Sequence, residues 1–244
     1  RSSIITNPDY LDDEQLTRER QFEVLTEIFN TKVRDPEIKA ICNHFAPIFQ
    51  KGHPTHLSLL GKTGTGKTIT VLYLLNEFER LCKAKKIPFM RLHLDLCCQT
   101  PCFRALNNLA CLLQASKHYK KGISLEELMA RIEAALAPVR GYLVIFVDEA
   151  DNVRTDFDNF YKFLVKRLPQ KIQAKLILIF ASNRLAWMDN LDPRVKSALK
   201  VRDVMFNPYN ANDLQTILAL RVKRALKKSM IKEGVVQKIA AYAS

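Results

Sequence analysis

The chain has 244 residues, 48% of them hydrophobic, enough for one substantial core and a small second domain. Its longest apolar runs reach about six to eight residues, well short of the roughly 20 a bilayer-spanning helix needs, so no membrane partner is expected. A formal net charge of +13 points instead to a polyanion, because phosphate backbones reward Lys and Arg by counterion release.

Residues Arg1 to Asp13 read as an extended lead-in with a turn at Asn7-Pro8. Asp13 or Thr17 caps the helix that follows, on which Phe22, Leu25, Ile28 and Phe29 keep helical spacing. This opening has neither an apolar signal core nor a small-residue cleavage site, so an intracellular location is expected. A second helix is expected from about Glu37 to Phe49, between pattern breaks at Asp35-Pro36 and Lys51-Gly52-His53-Pro54. Four strand-like runs then alternate with helical stretches: His56 to Leu60, Phe89 to Leu94, Leu143 to Val147 and Leu176 to Ala181. Apolar runs in that alternation indicate a parallel sheet covered on both faces, an α/β nucleotide-binding domain. Strands stop by about Asp203, and Ala211 to Ser244 is helical and rich in Lys and Arg, which places a domain boundary between 1–203 and 204–244. Because Tyr242-Ala243-Ser244 sits inside an apolar helical pattern, the chain is expected to be part of a longer protein. Six cysteines fall mostly within helical apolar patterns, and Cys97, Cys98 and Cys102 lack a second Cys/His pair at zinc spacing, so free thiols are expected rather than a metal site.

Gly61-Lys62-Thr63-Gly64-Thr65-Gly66-Lys67-Thr68 has Walker A spacing and stands between an expected strand and an expected helix, Ile69 to Leu81. The glycines let backbone N–H groups wrap a phosphate, the helix N-terminus favours negative charge, Lys67 bridges β- and γ-phosphates, and the Thr68 hydroxyl ligates Mg²⁺. ATP with Mg²⁺ is therefore the expected ligand. The run Leu143-Val144-Ile145-Phe146-Val147-Asp148-Glu149-Ala150-Asp151 is a strand ending in acids, a Walker B pattern. Asp148 is expected to hold Mg²⁺ through water and Glu149 to act as general base on the attacking water. Asn183, at the end of the next strand, is a candidate sensor of the γ-phosphate, and on spacing alone it caps the following turn equally well. Arg194 lies in the turn Leu191 to Ser197, where it either reaches a phosphate on a neighbouring subunit or is an ordinary surface arginine.

Taken with Asn-Pro-Asp-Tyr at 7–10 and Arg18-Glu19-Arg20-Gln21, these segments, with Ala-Ser-Asn at 181–183, Leu-Asp-Pro-Arg-Val-Lys-Ser at 191–197 and Phe-Asn-Pro-Tyr at 206–209, resemble the archaeal origin-recognition and replication-licensing initiators of the AAA+ class. The DEAD sequence at 148–151 alone would also suit a helicase, which lacks the 191–197 and 206–209 segments. The resemblance implies a P-loop NTPase with a parallel five-stranded sheet flanked by helices and part of a C-terminal helical lid. It makes Asn183 the sensor 1 residue and Arg194 an arginine finger offered to another initiator subunit. It places Tyr10, Leu11 and Arg18 near the adenine, with Tyr209 closing the pocket and Arg221 facing the nucleotide from the lid. The segment Asp95 to Gln114 looks like the family's helical insertion, and Thr100, Arg104 and Asn107 are its candidate contacts to duplex DNA, although Leu106, Leu109, Leu112 and Leu113 form core in any case. Arg221, Lys223, Arg224, Lys227 and Lys228 form either a DNA-facing stripe or the solvated face of a lid helix. The resemblance implies slow, assembly-dependent ATP hydrolysis, a cytoplasmic and chromosome-associated protein, the replicative helicase as a further partner, and a winged-helix domain beyond Ser244. The alternative is an AAA+ regulator, such as a transposition-type target-selection ATPase, that acts on DNA without origin specificity.

Overall fold

A computed structural model of the chain describes residues 33–96, 100–115, 122–153, 156–189, 191–225 and 234–243. The expected first helix, with Phe22, Leu25, Ile28 and Phe29, lies outside the described residues. Two compact units result, one of residues 40–206 and one formed by the described parts of 1–39 and 207–244.

Helix α1, Asp35–Phe45, carries Asp35 and Glu37 in its first turn, where the helix dipole favours negative charge. It was expected to continue to Phe49, but at Ala46 the chain tightens into a 3₁₀ turn, Ala46–Gln50, because Pro47 has no N–H to donate back along an α-helix. Phe45 stacks on Phe78 with ring centroids 4.8 Å apart, which ties this segment to helix α2, Lys67–Ala84. Along α2 the buried residues Val71, Leu74, Leu75, Phe78 and Cys82 recur at helical spacing and face the sheet.

All five strands are parallel: β1 His56–Leu60, β2 Phe89–Asp95, β3 Tyr142–Asp148, β4 Lys175–Ser182 and β5 Val201–Met205. Their order is β2-β3-β4-β1-β5. Every residue of β3 is buried, as a central strand covered on both faces requires. The fifth strand was implied by the family resemblance but not read from residues. Its run Val201-Arg202-Asp203-Val204-Met205 has two adjacent charges and lies at the sheet edge, with Arg202, Asp203 and Met205 exposed, so it lacks the apolar texture of an inner strand.

Helix α3, Cys102–Leu112, buries Ala105, Leu106, Leu109 and Ala110 and packs against α4, Leu125–Leu136, whereas Leu112, expected in the core, is exposed at the helix's last residue and Leu113 is only partly buried. Ser124 caps α4 by accepting from the Glu127 N–H at 3.1 Å. After β3 come α5, Phe157–Lys162, a widened π turn, Phe163–Arg167, and α6, Leu168–Lys171. The widened turn adjoins Pro169, which has no N–H to continue the α-helical ladder. Tyr161, fully buried, donates its hydroxyl to Ala150 O at 2.6 Å and fixes α5 to the loop that leaves β3. Helix α7, Pro193–Leu199, leads into β5. In the second unit, α8, Ala211–Ala225, packs against α9, Val235–Ala243. Among the described residues no helix is long and apolar enough to cross a membrane.

At the start of β1 the His56 Nδ1 accepts the Leu178 N–H at 3.1 Å, so the ring must stay neutral to serve the sheet. Burial, aided by nearby His44, pushes His56 from 6.5 down to about 4. Between those values the unfolded chain binds the extra proton, so stability is full above about pH 6.5 and declines as the pH falls toward 4, by on the order of 3 kcal/mol in total. Urea unfolding at about pH 7 and about pH 4.5 should show that decline. His56→Asn, which keeps an acceptor and removes the titrating ring, should lessen it, and an equal decline in the variant would assign it elsewhere.

Candidate nucleotide site

Three strand ends converge at the carboxyl edge. The order β3-β4-β1 sets the acids after β3, the Asn183 turn after β4 and the Gly61–Thr68 loop after β1 side by side, neighbours being about 4.8 Å apart. Gly61 leaves β1 against β5: a Cβ there would stand 2.3 Å from Phe206 O, next to the Phe206 N–H that donates to Leu60 O at 2.7 Å. Gly64 and Gly66 have φ of 82° and 85°, the left-handed region, and Gly66 opens α2. The Thr65 hydroxyl donates to Lys62 O at 2.8 Å and holds the loop's shape, while Lys62, Thr63 and Gly64 face solvent.

The Lys67 ammonium donates to Gly61 O at 2.7 Å, Lys62 O at 3.0 Å and Asn183 Oδ1 at 2.9 Å. Burial pulls this lysine below its ordinary value against the opposing pull of Asp148, Asp151 and Glu149. Asn183 was equally readable as a turn cap. Here its side chain faces Lys67, and the Ser182 hydroxyl serves the turn by accepting from the Arg184 N–H at 2.9 Å.

Burial raises the Asp148 carboxyl, but His93 and Thr68 close by and the Glu149 N–H outweigh it and hold the group below the usual carboxylate range. The Glu149 N–H reaches Asp148 Oδ1 at 3.0 Å, whereas His93 Nε2 stands 3.7 Å from Asp148 Oδ2, beyond hydrogen-bond length. Glu149 stands at φ 52°. Burial first, then Asp148, Asp95 and Asp151, push its carboxyl up, while Asn152 Nδ2 donates to it at 2.5 Å. Asp151 fastens the next strand: its Oδ1 accepts from Ser182 Oγ at 2.9 Å and from the Asn183 N–H at 3.3 Å. A carboxylate and a hydroxyl in mutual reach, Asp148 and Thr68, are the hard oxygen donors Mg²⁺ takes, and the space beside Gly64 is open, so the residues present fit a metal-bound phosphate.

Arg194 is exposed on the first turn of α7, where its N–H donates to the capping Asp192 at 2.7 Å. Of the three candidate DNA contacts, Arg104 is exposed, whereas Thr100 is 3% and Asn107 8% exposed. The Thr100 N–H donates to Asn152 O, and Asn107 Nδ2 donates along its own helix to Cys111 Sγ at 3.8 Å. In the second unit the Arg34 guanidinium lies 3.9 Å from the centre of the Tyr209 ring and also donates to Glu37 and to Asn207 O, while Arg221 is exposed on α8. Tyr10, Leu11 and Arg18 lie outside the described residues. Sequence reading missed His93, Asn152 and Ser182 and gave Asp151 no role. For His93 a signal existed, since Arg91, His93 and Asp95 alternate with Leu92 and Leu94, the period of a strand with one polar face.

The two glycine types separate in a stability measurement. Gly61→Ala drives a methyl into Phe206 O and should lower unfolding stability by at least about 2 kcal/mol. Gly64→Ala meets nothing within 4 Å and should cost only about 1 kcal/mol, from its backbone angle. Chemical denaturation without nucleotide reads both, and equal losses would refute the close approach at Gly61.

The family model described as an AAA domain matches residues 50–188. An ORC1-type DNA replication protein of Pyrococcus abyssi is 28% identical over 221 residues, which cover 86% of this chain and 51% of that protein. Its counterpart in Methanoregula boonei is 30% identical over 249 residues, covering 96% and 57%. The solved structure of the Aeropyrum pernix ORC1 protein in complex with DNA shares the fold with a TM-score of 0.76 at 26% identity, over 86% of this chain and 54% of that one. The chain thus spans about half the length of the curated relatives it matches. With that match over the phosphate loop and both acid-bearing strand ends, the chain belongs to the AAA domain family and, within it, to the AAA+ ATPases of the origin-recognition and replication-licensing type.

Proposed function

We propose that this chain is the nucleotide-switch part of a DNA replication initiator, which binds ATP with Mg²⁺, hydrolyses it slowly within an assembly, and binds duplex DNA at origins. The observation that carries the reading is the meeting of Lys67, Asn183, Thr68, Asp148 and Glu149 at three adjacent strand ends.

In bound ATP the water oxygen bonds to the γ-phosphorus as the bridging bond to the β-phosphate breaks, and ADP leaves with that bridging oxygen. Lys67 turns its protons from the loop carbonyls toward β- and γ-phosphate oxygens, and Asn183 follows it to the γ-phosphate side. Thr68, and Asp148 through water, would hold Mg²⁺, Asp148 suited by a carboxyl that stays ionised. Glu149 takes the water's proton, a task helped by its raised carboxyl, once Asn152 releases it or turns with it. Gly61 to Gly66 wrap the phosphates through backbone N–H groups. Arg194, exposed at the head of α7, completes the site of a neighbouring initiator subunit. The family resemblance assigns Tyr10, Leu11 and Arg18 to the neighbourhood of the adenine, and residues 204–244 to the start of a lid whose Tyr209 and Arg221 serve the nucleotide. Of the three candidate DNA contacts, Arg104 is the one open to a DNA phosphate, since Thr100 and Asn107 are buried. The replicative helicase is the partner that the ATP-bound form would load.

Fluorescent-nucleotide titration and phosphate release test the assignment. Lys67→Ala should abolish measurable ATP binding. Glu149→Gln should bind ATP with near-unchanged affinity and lose hydrolysis by about a hundredfold or more. Arg194→Ala should bind normally and lose hydrolysis only when subunits assemble on DNA. Wild-type turnover by Glu149→Gln would remove the general-base role, and wild-type turnover by assembled Arg194→Ala would remove the finger.

A further inference from the structure

The amino edge of the sheet, opposite the nucleotide, carries a charge distribution that the nucleotide site does not use. Five segments enter the five strands: 50–56, 82–89, 136–142, 169–175 and 198–202. Together they contain nine Lys and Arg and no Asp or Glu. The first carboxylate along any of the strands is Asp203, the third residue of β5. Lys51, Lys86, Arg140, Lys171 and Lys200 are all exposed.

These segments form one continuous surface. The Tyr142 N–H donates to Pro88 O at 2.9 Å and its hydroxyl to Gly52 O at 2.8 Å. Lys175 Nζ donates to Lys51 O at 2.7 Å, and the Lys175 N–H to Gly141 O at 2.8 Å. The entries to β1, β2, β3 and β4 are thereby stitched together, with β5 beside β1.

Ordinary structural needs do not absorb this charge. In a parallel α/β fold the helices run back from the carboxyl edge, so α2, α4, α6 and α7 end here, and cations favour helix C-termini. Four such ends carry roughly half a negative charge each, about two in all, against nine cations. Among the described residues, Glu77 is paired with Arg80, Glu79 with Arg91 and Glu133 with Arg167, which leaves Asp203, further along β5, as one carboxylate against the nine cations. A surplus of several positive charges therefore faces solvent.

We propose that this amino edge is a second nucleic-acid face, which grips the phosphate backbone of a duplex without reading its sequence. Five strands span roughly 19 Å. One strand of a duplex places a phosphate every ~3.4 Å along its axis, so about six phosphates fit that length, close to the number of free cations. The nearby aromatic rings favour backbone over bases: Tyr142 is buried beneath Lys175, and Phe49 lies under Lys85, so neither offers an open platform on which an unpaired base could stack. The cations stand at the opposite edge from Lys67, so the inference does not rest on nucleotide binding.

The test is fluorescence anisotropy of a labelled random-sequence duplex of roughly 20 base pairs, titrated with the chain between about 50 and about 200 mM salt. The variant replaces Lys51, Lys86, Lys171 and Lys200 by Gln, which removes charge and keeps length. It leaves Lys85, Lys175 and Arg140 in place, because these also serve internal contacts. The slope of log affinity against log salt should shrink by about 3 to 4, and affinity near 100 mM salt should fall at least tenfold. ATP affinity should stay within about twofold, and the same four positions as Arg should restore the slope. Should the Gln variant unfold, the pairs Lys51/Lys86 and Lys171/Lys200 are read separately, each expected to remove about half of the effect. An unchanged slope overturns the proposal. So does displacement of polyglutamate, but not of duplex, by the same substitutions, which would make the edge a docking face for an acidic protein.

Discussion

The Lys67 ammonium has three protons, and the fold supplies three oxygens for them: two carbonyls of its own loop and the side chain of Asn183, 116 residues away in sequence. A cation this far from bulk water needs such partners. The third partner exists only because β4 lies directly beside β1, with Leu60 opposite Ser182 in register. Asp151 adds a second tie, since it holds Ser182 and the Asn183 backbone from the β3 side. The site is thus a set of strand ends locked to one another, each position set by a neighbour's hydrogen bond.

The same parallel sheet sorts charge by edge. Strand carboxyl ends meet helix N-termini, and there the chain places its phosphate loop together with Asp95, Asp148, Glu149 and Asp151. Strand amino ends meet helix C-termini, and there its charged residues are lysines and arginines with no carboxylate. Helix dipoles favour the opposite signs at the two edges, cations where helices end and anions where they begin. Acids at the carboxyl edge accord with that preference at short range, and they are also what a metal-bound phosphate calls for. The excess of lysine at the amino edge goes well beyond what four helix ends can use, which separates a charge needed by the fold from one available to a partner.

Prolines account for two departures from regular helix. Pro47 ends α1 earlier than its apolar pattern suggests, and the residues that follow keep Ile48 in the core through a tighter turn. Pro169 sits beside a widened turn in the run from α5 to α6. In each case a missing N–H changes the pitch locally while buried side chains hold the overall path.

By itself the sequence determined the alternation of buried strands and helices, the phosphate loop, the acids ending β3 and the α/β class, because each rests on residues close together in the chain, with a periodicity or spacing that local physics imposes. The edge strand β5 escaped residue-level reading because half-exposed strands lose the apolar run that marks inner ones. The choice between sensor and turn cap for Asn183, the burial of Asn107 and Thr100, the hold of Asn152 on Glu149 and of Asp151 on β4, and the joining of five basic entries into one surface were all decided by tertiary structure. Each depends on which strands become neighbours, and sheet order is set by the burial of the whole core rather than by any segment alone.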